Sequence, residues 1–254
     1  MPAEVLYGRR PIIESLRAGR RRHTRLLLAE GMKKLELLDE IQALAKSLDL
    51  PVRLVGRQAL DEQLGDVNHQ GVALETSAYP YAEIEDITAR TLLRQEPPFI
   101  LILDHLQDPQ NLGSILRTAE AAGVHGVIIP ERRAAEVTPS VVRASAGASE
   151  FLPVVRVVNL VNTMNLFKEE GLWMTGLDAG PSSVLYTEAD LKGPIGLVIG
   201  SEGEGLGRLV GETCDFHIRL PMLGKIDSLN AGVAAAVALY EVRRRRLQEP
   251  AKKG

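Results

Sequence analysis

Apolar and polar positions along the chain fall into short runs that predict alternating strands and helices. In the first third, apolar runs predict strands at residues 25–29, 52–55 and 71–76. Apolar residues that recur every three or four positions predict helices at residues 35–48 and 58–64. The pattern is typical of a compact α/β unit that ends near Ala78.

The same alternation resumes after a polar interruption. Residues 79–98 combine prolines with charged residues and have a weak helical pattern, which predicts a linker. Beyond it the pattern predicts strands at 99–103, 126–129, 152–158, 172–176, 195–199 and 216–219, and helices at 112–122, 160–170, 206–212 and 229–246. Alternating strands and helices are typical of a mostly parallel sheet with helices on both faces. We therefore predict an N-terminal domain at 1–78, a linker at 79–98 and a second domain at 99–254.

Charge is distributed unevenly between the two ends. The 254 residues carry a net charge of -3, but residues 1–34 contain nine Lys or Arg against three Glu, which leaves +6 there and -9 on the remainder. A basic end on an acidic chain predicts a phosphate-binding face, with a solvated charged surface as the alternative. The aromatic content of 4% argues against a base-stacking sheet.

Other compositional features narrow the class of protein. No apolar stretch reaches the length of a membrane span, and the N-terminus carries Glu4, Arg9 and Arg10 where a signal peptide is apolar, so we expect a cytosolic protein. Cys214 is the single cysteine, which excludes an internal disulfide and fits a reducing compartment. The histidines have no metal-ligand spacing, and we expect no metal.

Candidate chemistry lies in three loops, because ligands of such sheets bind where parallel strands end. The loop after Leu103 leads into a helix for which we predict Asn111 as the N-cap, with Arg117 projecting from its first two turns; a capped helix with a surface arginine is the alternative. The loop after Ile199 is glycine-rich, at residues 200–207, and contains Glu202. It lies too late in the chain for an ordinary dinucleotide fingerprint.

The third loop follows Arg219. Ser228 can cap the closing helix, and Leu220, Met222 and Leu229 could form apolar walls for a purine. Serine-hydrolase and P-loop motifs are absent from the sequence. Cys214 has no motif around it, which favours a buried small hydrophobe over a nucleophile.

Three segments in order resemble the three motifs of the SpoU (TrmH) family in the SPOUT superfamily of RNA methyltransferases. They are NLGSILR at 111–117, IGSEGEGL at 199–206 and LPMLGKIDSLN at 220–230, the last leading into an alanine-rich helix. YGRRPIIESL at 7–16 and NHQGVAL at 68–74 are similar to the family's ribosomal-protein-like RNA-binding domain. The whole chain resembles the RlmB-type members, which methylate a guanosine 2′-hydroxyl in the peptidyl-transferase region of 23S rRNA.

The resemblance implies a fold, a cofactor and a partner. It implies a trefoil knot in the C-terminal domain, S-adenosylmethionine as the methyl donor, RNA as the substrate and a homodimer with each active site near the interface. By position it implies catalytic roles for Asn111, Arg117, Glu202, Ser228 and Asn230. It implies cofactor contacts for Gly176, Leu177, Ile199, Gly200, Ser201, Gly203, Leu220, Met222 and Leu229. Many members have a hydroxyl residue where this chain has Gly232, so the resemblance does not imply the minor helix contact of that hydroxyl.

In this family, the residue equivalent to Arg117 is often proposed as the catalytic base that removes the proton from the ribose hydroxyl. Arginine keeps its proton in nearly all protein settings, so we expect Arg117 to anchor phosphate and hydroxyl and to stabilise the developing alkoxide, with Glu202 as its partner. The proton acceptor stays open. So do three rival functions: a tRNA ribose methyltransferase, an rRNA enzyme that confers drug resistance, and a non-catalytic RNA-binding dimer.

Overall fold

The computed structural model describes residues 3–33 and 35–248. Its strands, in chain order, are β1 (Ala3–Tyr7), β2 (His23–Ala29), β3 (Val52–Val55), β4 (Val72–Ser77), β5 (Phe99–Leu103), β6 (Gly126–Pro130), β7 (Val154–Val157), β8 (Trp173–Leu177), β9 (Val184–Leu185), β10 (Ile195–Ile199) and β11 (Phe216–Arg219). Its helices are α1 (Arg9–Ala18), α2 (Glu36–Ser47), α3 (Arg57–Leu64), α4 (Ile84–Arg94), α5 (Pro109–Ala121), α6 (Pro139–Ala144), α7 (Leu160–Glu169), α8 (Arg208–Thr213) and α9 (Ala231–Leu247). Lys34, part of the basic end, lies outside the described residues.

The described residues form two compact units. The first lies within Met1–Pro80 and also takes in Glu136–Phe151, while the second lies within Tyr81–Ala135 and Leu152–Gly254. The segment predicted as a linker contains helix α4, which buries Ile87 in the second unit. No helix among the described residues is both long and apolar enough to cross a membrane.

The first unit is built on a four-stranded mixed sheet. The strand order is β1-β4-β2-β3, with β4 antiparallel to β1 and β2, and β3 parallel to β2. Leu26, Leu27, Leu28 and Ala29 are all buried, which shows that the end of β2 is covered on both faces.

A buried ion pair holds the inserted segment in this unit. Arg21 and Glu150 both have fully buried side chains, and Arg21 Nη2 lies 2.9 Å from Glu150 Oε1. Burial alone would lower the pKa of Arg21, but the hydrogen bonds and charges of Glu150 and Glu4 raise it overall. The guanidinium therefore stays charged between two carboxylates. Breaking such a pair leaves an uncompensated buried charge, which costs about 3 to 5 kcal/mol.

The second unit has a seven-stranded parallel sheet. The strand order is β7-β6-β5-β10-β8-β11-β9, and each neighbouring pair is parallel. β5 and β10 at its centre are buried at every position, as expected for strands with helices on both faces. The predicted mixed α/β architecture, with a mostly parallel C-terminal sheet and a smaller N-terminal domain, is confirmed. The trefoil knot stays a prediction.

Candidate functional site

An open cleft of about 750 Å³ lies where β8, β10 and β11 end in the second unit. Parallel strands point their carboxyl ends to the same edge, so the three loops that follow these strands meet there. The volume falls in the range of small-molecule and cofactor sites. The lining residues are Leu177, Asp178, Ala179, Ile199, Gly200, Ser201, Glu202, Gly203, Glu204, Gly205, Arg219, Leu220, Met222, Asp227, Ser228, Leu229, Asn230, Ala231 and Ala234.

The glycine-rich loop owes its shape to glycines at three positions. Ser201 and Gly205 exchange two backbone hydrogen bonds of 3.1 Å, which folds the loop back on itself. A Cβ on Gly200 would lie 2.1 Å from the backbone carbon of Gly205, so no other residue fits there. Gly203 and Gly205 have φ of 90° and 67°, the left-handed region that glycine enters without strain.

A buried carboxylate fixes the far end of the same loop. Asp104, at the end of β5, accepts a hydrogen bond of 2.7 Å from the backbone N–H of Gly207. Asp104 is 1% exposed and also contacts His105 Nδ1. The loop is therefore fastened to the neighbouring strand at the point where α8 begins.

A directional chain of hydrogen bonds joins the three predicted motif segments. Val233 N donates to Asn230 Oδ1 over 3.2 Å, and Asn230 Nδ2 donates to Asn111 Oδ1 over 2.9 Å. Asn111 Nδ2 then donates to Glu202 Oε1. Each amide uses its oxygen as an acceptor and its nitrogen as a donor, so the chain runs one way and ends on the carboxylate.

This series of hydrogen bonds depends on helix caps that differ from those predicted. The N-cap of α5 is Asp108, which accepts from the backbone N–H groups of Gln110 and Asn111, and Pro109 occupies the first helical position. Proline is favoured there because its missing N–H needs no partner. The predicted cap at Asn111 is therefore wrong, and its side chain is free to reach Glu202.

The closing helix differs in the same way. The N-cap of α9 is Asn230, whose side chain accepts from Val233 N, so the predicted cap at Ser228 is also wrong. Ser228 instead lines the cleft. In both helices the residue that caps is displaced by two or three positions, within the usual error of boundary prediction.

Arg117 lies apart from these contacts. It is exposed on α5, and its side chain makes no hydrogen bond or ion pair with any residue that the structure describes. The structure pairs Glu202 with Asn111 in place of the expected Arg117. Arg117 therefore presents a charged guanidinium that is available to an external group.

Most of the predicted cofactor residues line the cleft, and one does not. Leu177, Ile199, Gly200, Ser201, Gly203, Leu220, Met222 and Leu229 all line it. Gly176 is buried in β8, where a Cβ would lie 2.6 Å from His217 and 2.8 Å from Leu206. Gly176 therefore allows His217 and Leu206 to pack closely against β8. Asn111 and Arg117 lie outside the lining.

Eight lining residues were not predicted from the sequence. They are Asp178, Ala179, Glu204, Gly205, Arg219, Asp227, Ala231 and Ala234. The rule that ligands bind at strand ends could have found Asp178 and Arg219, because each stands at the carboxyl end of a strand.

The charges of the lining restrict the ligand. Asp178, Glu202, Glu204 and Asp227 carry carboxylates, while Arg219 is the one basic residue of the lining. Arg219 donates through Nε to the backbone oxygen of Ser183 over 3.1 Å. Such a lining repels phosphate groups and favours a cationic ligand, with Leu220, Met222 and Leu229 available to an apolar ring.

Cys214 and His125 have structural roles. Burial, followed by the charge of Asp215, raises the pKa of Cys214 to about 12, so its thiol is a poor nucleophile. His125 is fully buried, and its Nδ1 accepts from Phe99 N over 3.0 Å.

Two family models match this chain. The SpoU rRNA Methylase family matches residues 98–240, and the RNA 2′-O ribose methyltransferase substrate-binding family matches residues 5–82. YacO of Bacillus subtilis, which is assigned to the TrmH family of tRNA/rRNA methyltransferases, is 46% identical over 96% of each chain.

Solved structures agree with these matches. The SpoU methyltransferase AviRb from Streptomyces viridochromogenes, in complex with AdoMet, is 27% identical with a TM-score of 0.80, over 97% of this chain and 92% of that one. An AdoMet-bound rRNA methyltransferase from Sinorhizobium meliloti is 25% identical with a TM-score of 0.78, over 95% and 87% of the two chains.

Proposed function

This chain belongs to the SpoU rRNA methylase family, and we propose that it methylates a ribose 2′-hydroxyl in RNA, a guanosine in the peptidyl-transferase region of 23S rRNA. It is an RNA methyltransferase that uses S-adenosylmethionine. The ribose atom and the rRNA target are the proposed part. The 2′-O ribose substrate-binding match over residues 5–82 and the full-length likeness to an rRNA methyltransferase support them.

The cleft fits S-adenosylmethionine on its own chemistry, and this observation carries the proposal. Leu220, Met222 and Leu229 offer apolar surface for an adenine ring, and the glycines admit a ligand close to the backbone. The surplus of carboxylates suits a sulfonium and disfavours the pyrophosphate of a dinucleotide. When bound, this cofactor supplies an electrophilic methyl group.

The side chains around the cleft divide the remaining work. The hydrogen bonds from Asn230 through Asn111 orient one carboxylate oxygen of Glu202. The other carboxylate oxygen of Glu202 is available to a group of the substrate or cofactor. Arg117 offers two parallel N–H donors for a phosphate or a ribose oxygen, and it stabilises negative charge that develops on that oxygen. We assign the catalytic site to Asn111, Arg117, Glu202, Ser228 and Asn230.

The domain division follows from the same proposal. We assign RNA binding to residues 1–78, a connection to 79–98 and methyl transfer to 99–254. Arg10 and Arg22 in the first unit are exposed, and their guanidinium groups make no hydrogen bond or ion pair with a described residue, so these side chains are available to phosphates. The inserted segment Glu136–Phe151 stays with the first unit.

We also propose a homodimer through the second unit. Val233, Val237 and Tyr240 follow one face of α9 at helical spacing and are 51%, 36% and 52% exposed. Leu223 and Ile226, in the loop before this helix, are 96% and 70% exposed. Exposed apolar side chains on one face of a helix and in the loop before it are typical of an interaction site.

Transfer assays with two classes of RNA test the proposal. Labelled S-adenosylmethionine is incubated with the protein and either undermethylated rRNA or unmodified tRNA. We expect label in the rRNA and none in the tRNA. Label confined to tRNA would favour the rival tRNA enzyme. Transfer to neither RNA, by a protein that also fails to bind the cofactor in calorimetry, would favour the non-catalytic dimer.

A further inference from the structure

Two arginines outside the assigned site occupy the loop that follows β6. Arg132 and Arg133 are both exposed, and neither makes a hydrogen bond or ion pair with any residue the structure describes. Arg133 has φ of 57°, a conformation that non-glycine residues rarely adopt. Two exposed carboxylates, Glu131 and Glu136, lie in the same loop between β6 and α6.

The sheet order places this loop next to the candidate active site. β6 pairs with β5, and β5 pairs with β10, all in parallel. Neighbouring strands lie about 4.8 Å apart, so the ends of β6 and β10 are separated by roughly 10 Å. The loop after β6 therefore emerges at the same edge as the glycine-rich loop and the start of α5.

Backbone hydrogen bonds hold both ends of the loop. Glu131 N donates to Val157 O over 2.9 Å, and Ala135 N donates to Leu106 O over 2.8 Å. Leu106 belongs to the segment between β5 and α5, which leads to Asn111 and Arg117. The two arginines are thus carried by a loop fastened to the first motif segment.

Charge divides this edge of the sheet into two sides. Asp178, Glu202, Glu204 and Asp227 line the cleft on the side of β8, β10 and β11. Unpaired arginines lie on the side of β5 and β6, where Arg117 projects from α5 and Arg132 and Arg133 follow β6. Asp108, which caps α5, and Glu131, which precedes the two arginines, are acidic groups on the second side. The unpaired guanidinium groups there remain available to phosphates, whereas the carboxylates of the cleft repel them.

From this arrangement we infer that Arg132 and Arg133 bind backbone phosphates of the substrate RNA beside the target nucleotide and set its position at Arg117. This inference rests on the proposed function, since it takes RNA as the substrate. Phosphate contacts fix the register of a nucleic acid without reading its sequence. Arg132 and Arg133 are accordingly positioning residues, and the bond-making steps remain with the assigned site.

The test compares RNA binding and transfer in the wild type and in R132Q/R133Q. Each lost phosphate contact reduces the slope of log K against log salt by about 1, so we expect a reduction of about 2. We expect the KM for RNA to rise about tenfold with kcat within twofold, and cofactor affinity to be unchanged. R132K/R133K keeps both charges and should restore the salt slope.

K192Q is the matched control. Lys192 is an exposed cation that precedes β10, at the opposite edge of the same sheet. We expect this variant to keep the wild-type salt slope and KM. Equal melting temperatures of all variants exclude unfolding as the cause of a change.

The outcomes separate this inference from the proposed function. A wild-type salt slope in R132Q/R133Q overturns the inference, even if the enzyme methylates rRNA normally. A reduced slope supports it, even if the wild type transfers no methyl group, a result that would contradict the proposed function alone. A wild type that binds no RNA would overturn both.

Discussion

Asn111 shows how one side chain can connect a helix, a loop and a second helix. It accepts from Asn230 and donates to Glu202, while its own backbone N–H is satisfied by Asp108. The residue types of this site were predictable, because the motif segments carry them in the sequence. The pairing was not, since it depends on Asp108 taking the cap position and leaving Asn111 free.

Arg117 provides the sharpest test at the residue scale. Arg117→Ala should reduce methyl transfer by about 10²- to 10³-fold, because it removes donors aimed at developing negative charge. Cofactor affinity, measured by calorimetry, should change less than about threefold because Arg117 does not line the cleft.

The conservative variant separates charge from geometry. Arg117→Lys keeps the charge but loses the planar pair of donors, so its rate should lie between those of the wild type and Arg117→Ala. Transfer at the wild-type rate by Arg117→Ala would remove Arg117 from the catalytic site.

At the scale of elements, the central strands were the most predictable part. The bounds of β5 and β10 match the apolar runs in the sequence, because strands buried on both faces are continuously apolar. The apolar pattern of the sequence predicted no element at β1, α1, α6 or β9. β9 has two residues and α6 has six, too short for a periodic signal.

Adding a single methyl group to the glycine-rich loop should disturb cofactor binding. Gly200→Ala places a methyl group against the backbone of Gly205, which would force the loop open. We expect cofactor affinity to fall at least about tenfold in calorimetry, since the loop backbone lines the cleft.

Gly211→Ala is the control for this substitution. Gly211 lies in helix α8, and a Cβ there would be 3.9 Å from its nearest neighbour. The free energy of unfolding should therefore stay the same or rise by about 0.5 to 1 kcal/mol. Wild-type cofactor affinity in Gly200→Ala would show that the loop backbone does not contact the cofactor.

His125 joins the starts of β5 and β6 and predicts a pH dependence. Burial, and then the charge of Arg94, lower its pKa to about 4, with Nδ1 held as an acceptor by Phe99 N. Between pH 6.5 and about 4 the unfolded chain binds a proton that the folded chain does not, so stability falls as the pH falls. The full loss from this group is about 3 kcal/mol.

His125→Asn isolates this contribution. The asparagine oxygen can replace Nδ1 as an acceptor but does not titrate, so the free energy of unfolding should vary less between pH 6.5 and 4.5 than in the wild type. Denaturant titrations across that interval measure the difference. Parallel curves for the two proteins would exclude His125 as the cause.

At the scale of the whole molecule, the sequence could not predict that Glu136–Phe151 joins the first unit. The segment lies between two strands of the second unit, and sequential reasoning assigns it there. The buried pair between Arg21 and Glu150 explains its place, but a single charged residue in a sequence gives no sign of a distant partner. Contacts of this separation become visible only in the structure.

Oligomeric state is the second property at this scale. Val237→Glu puts a charge in the middle of the apolar face of α9, so we expect the dimer to dissociate. Light scattering at about 10 µM should then give the mass of a single 27.7 kDa chain. Leu93→Glu, at an 85% exposed position on α4, should leave it dimeric. A monomeric wild type, or a dimeric Val237→Glu, would contradict the proposed interface.

The chemical identity of the product tests the central claim most directly. After incubation with S-adenosylmethionine and undermethylated 23S rRNA, the modified nucleotide is mapped and its methylated atom identified by mass spectrometry. We predict a single 2′-O-methylguanosine in the peptidyl-transferase region. A methyl group on a base, or no product from protein shown to bind the cofactor, would contradict the account.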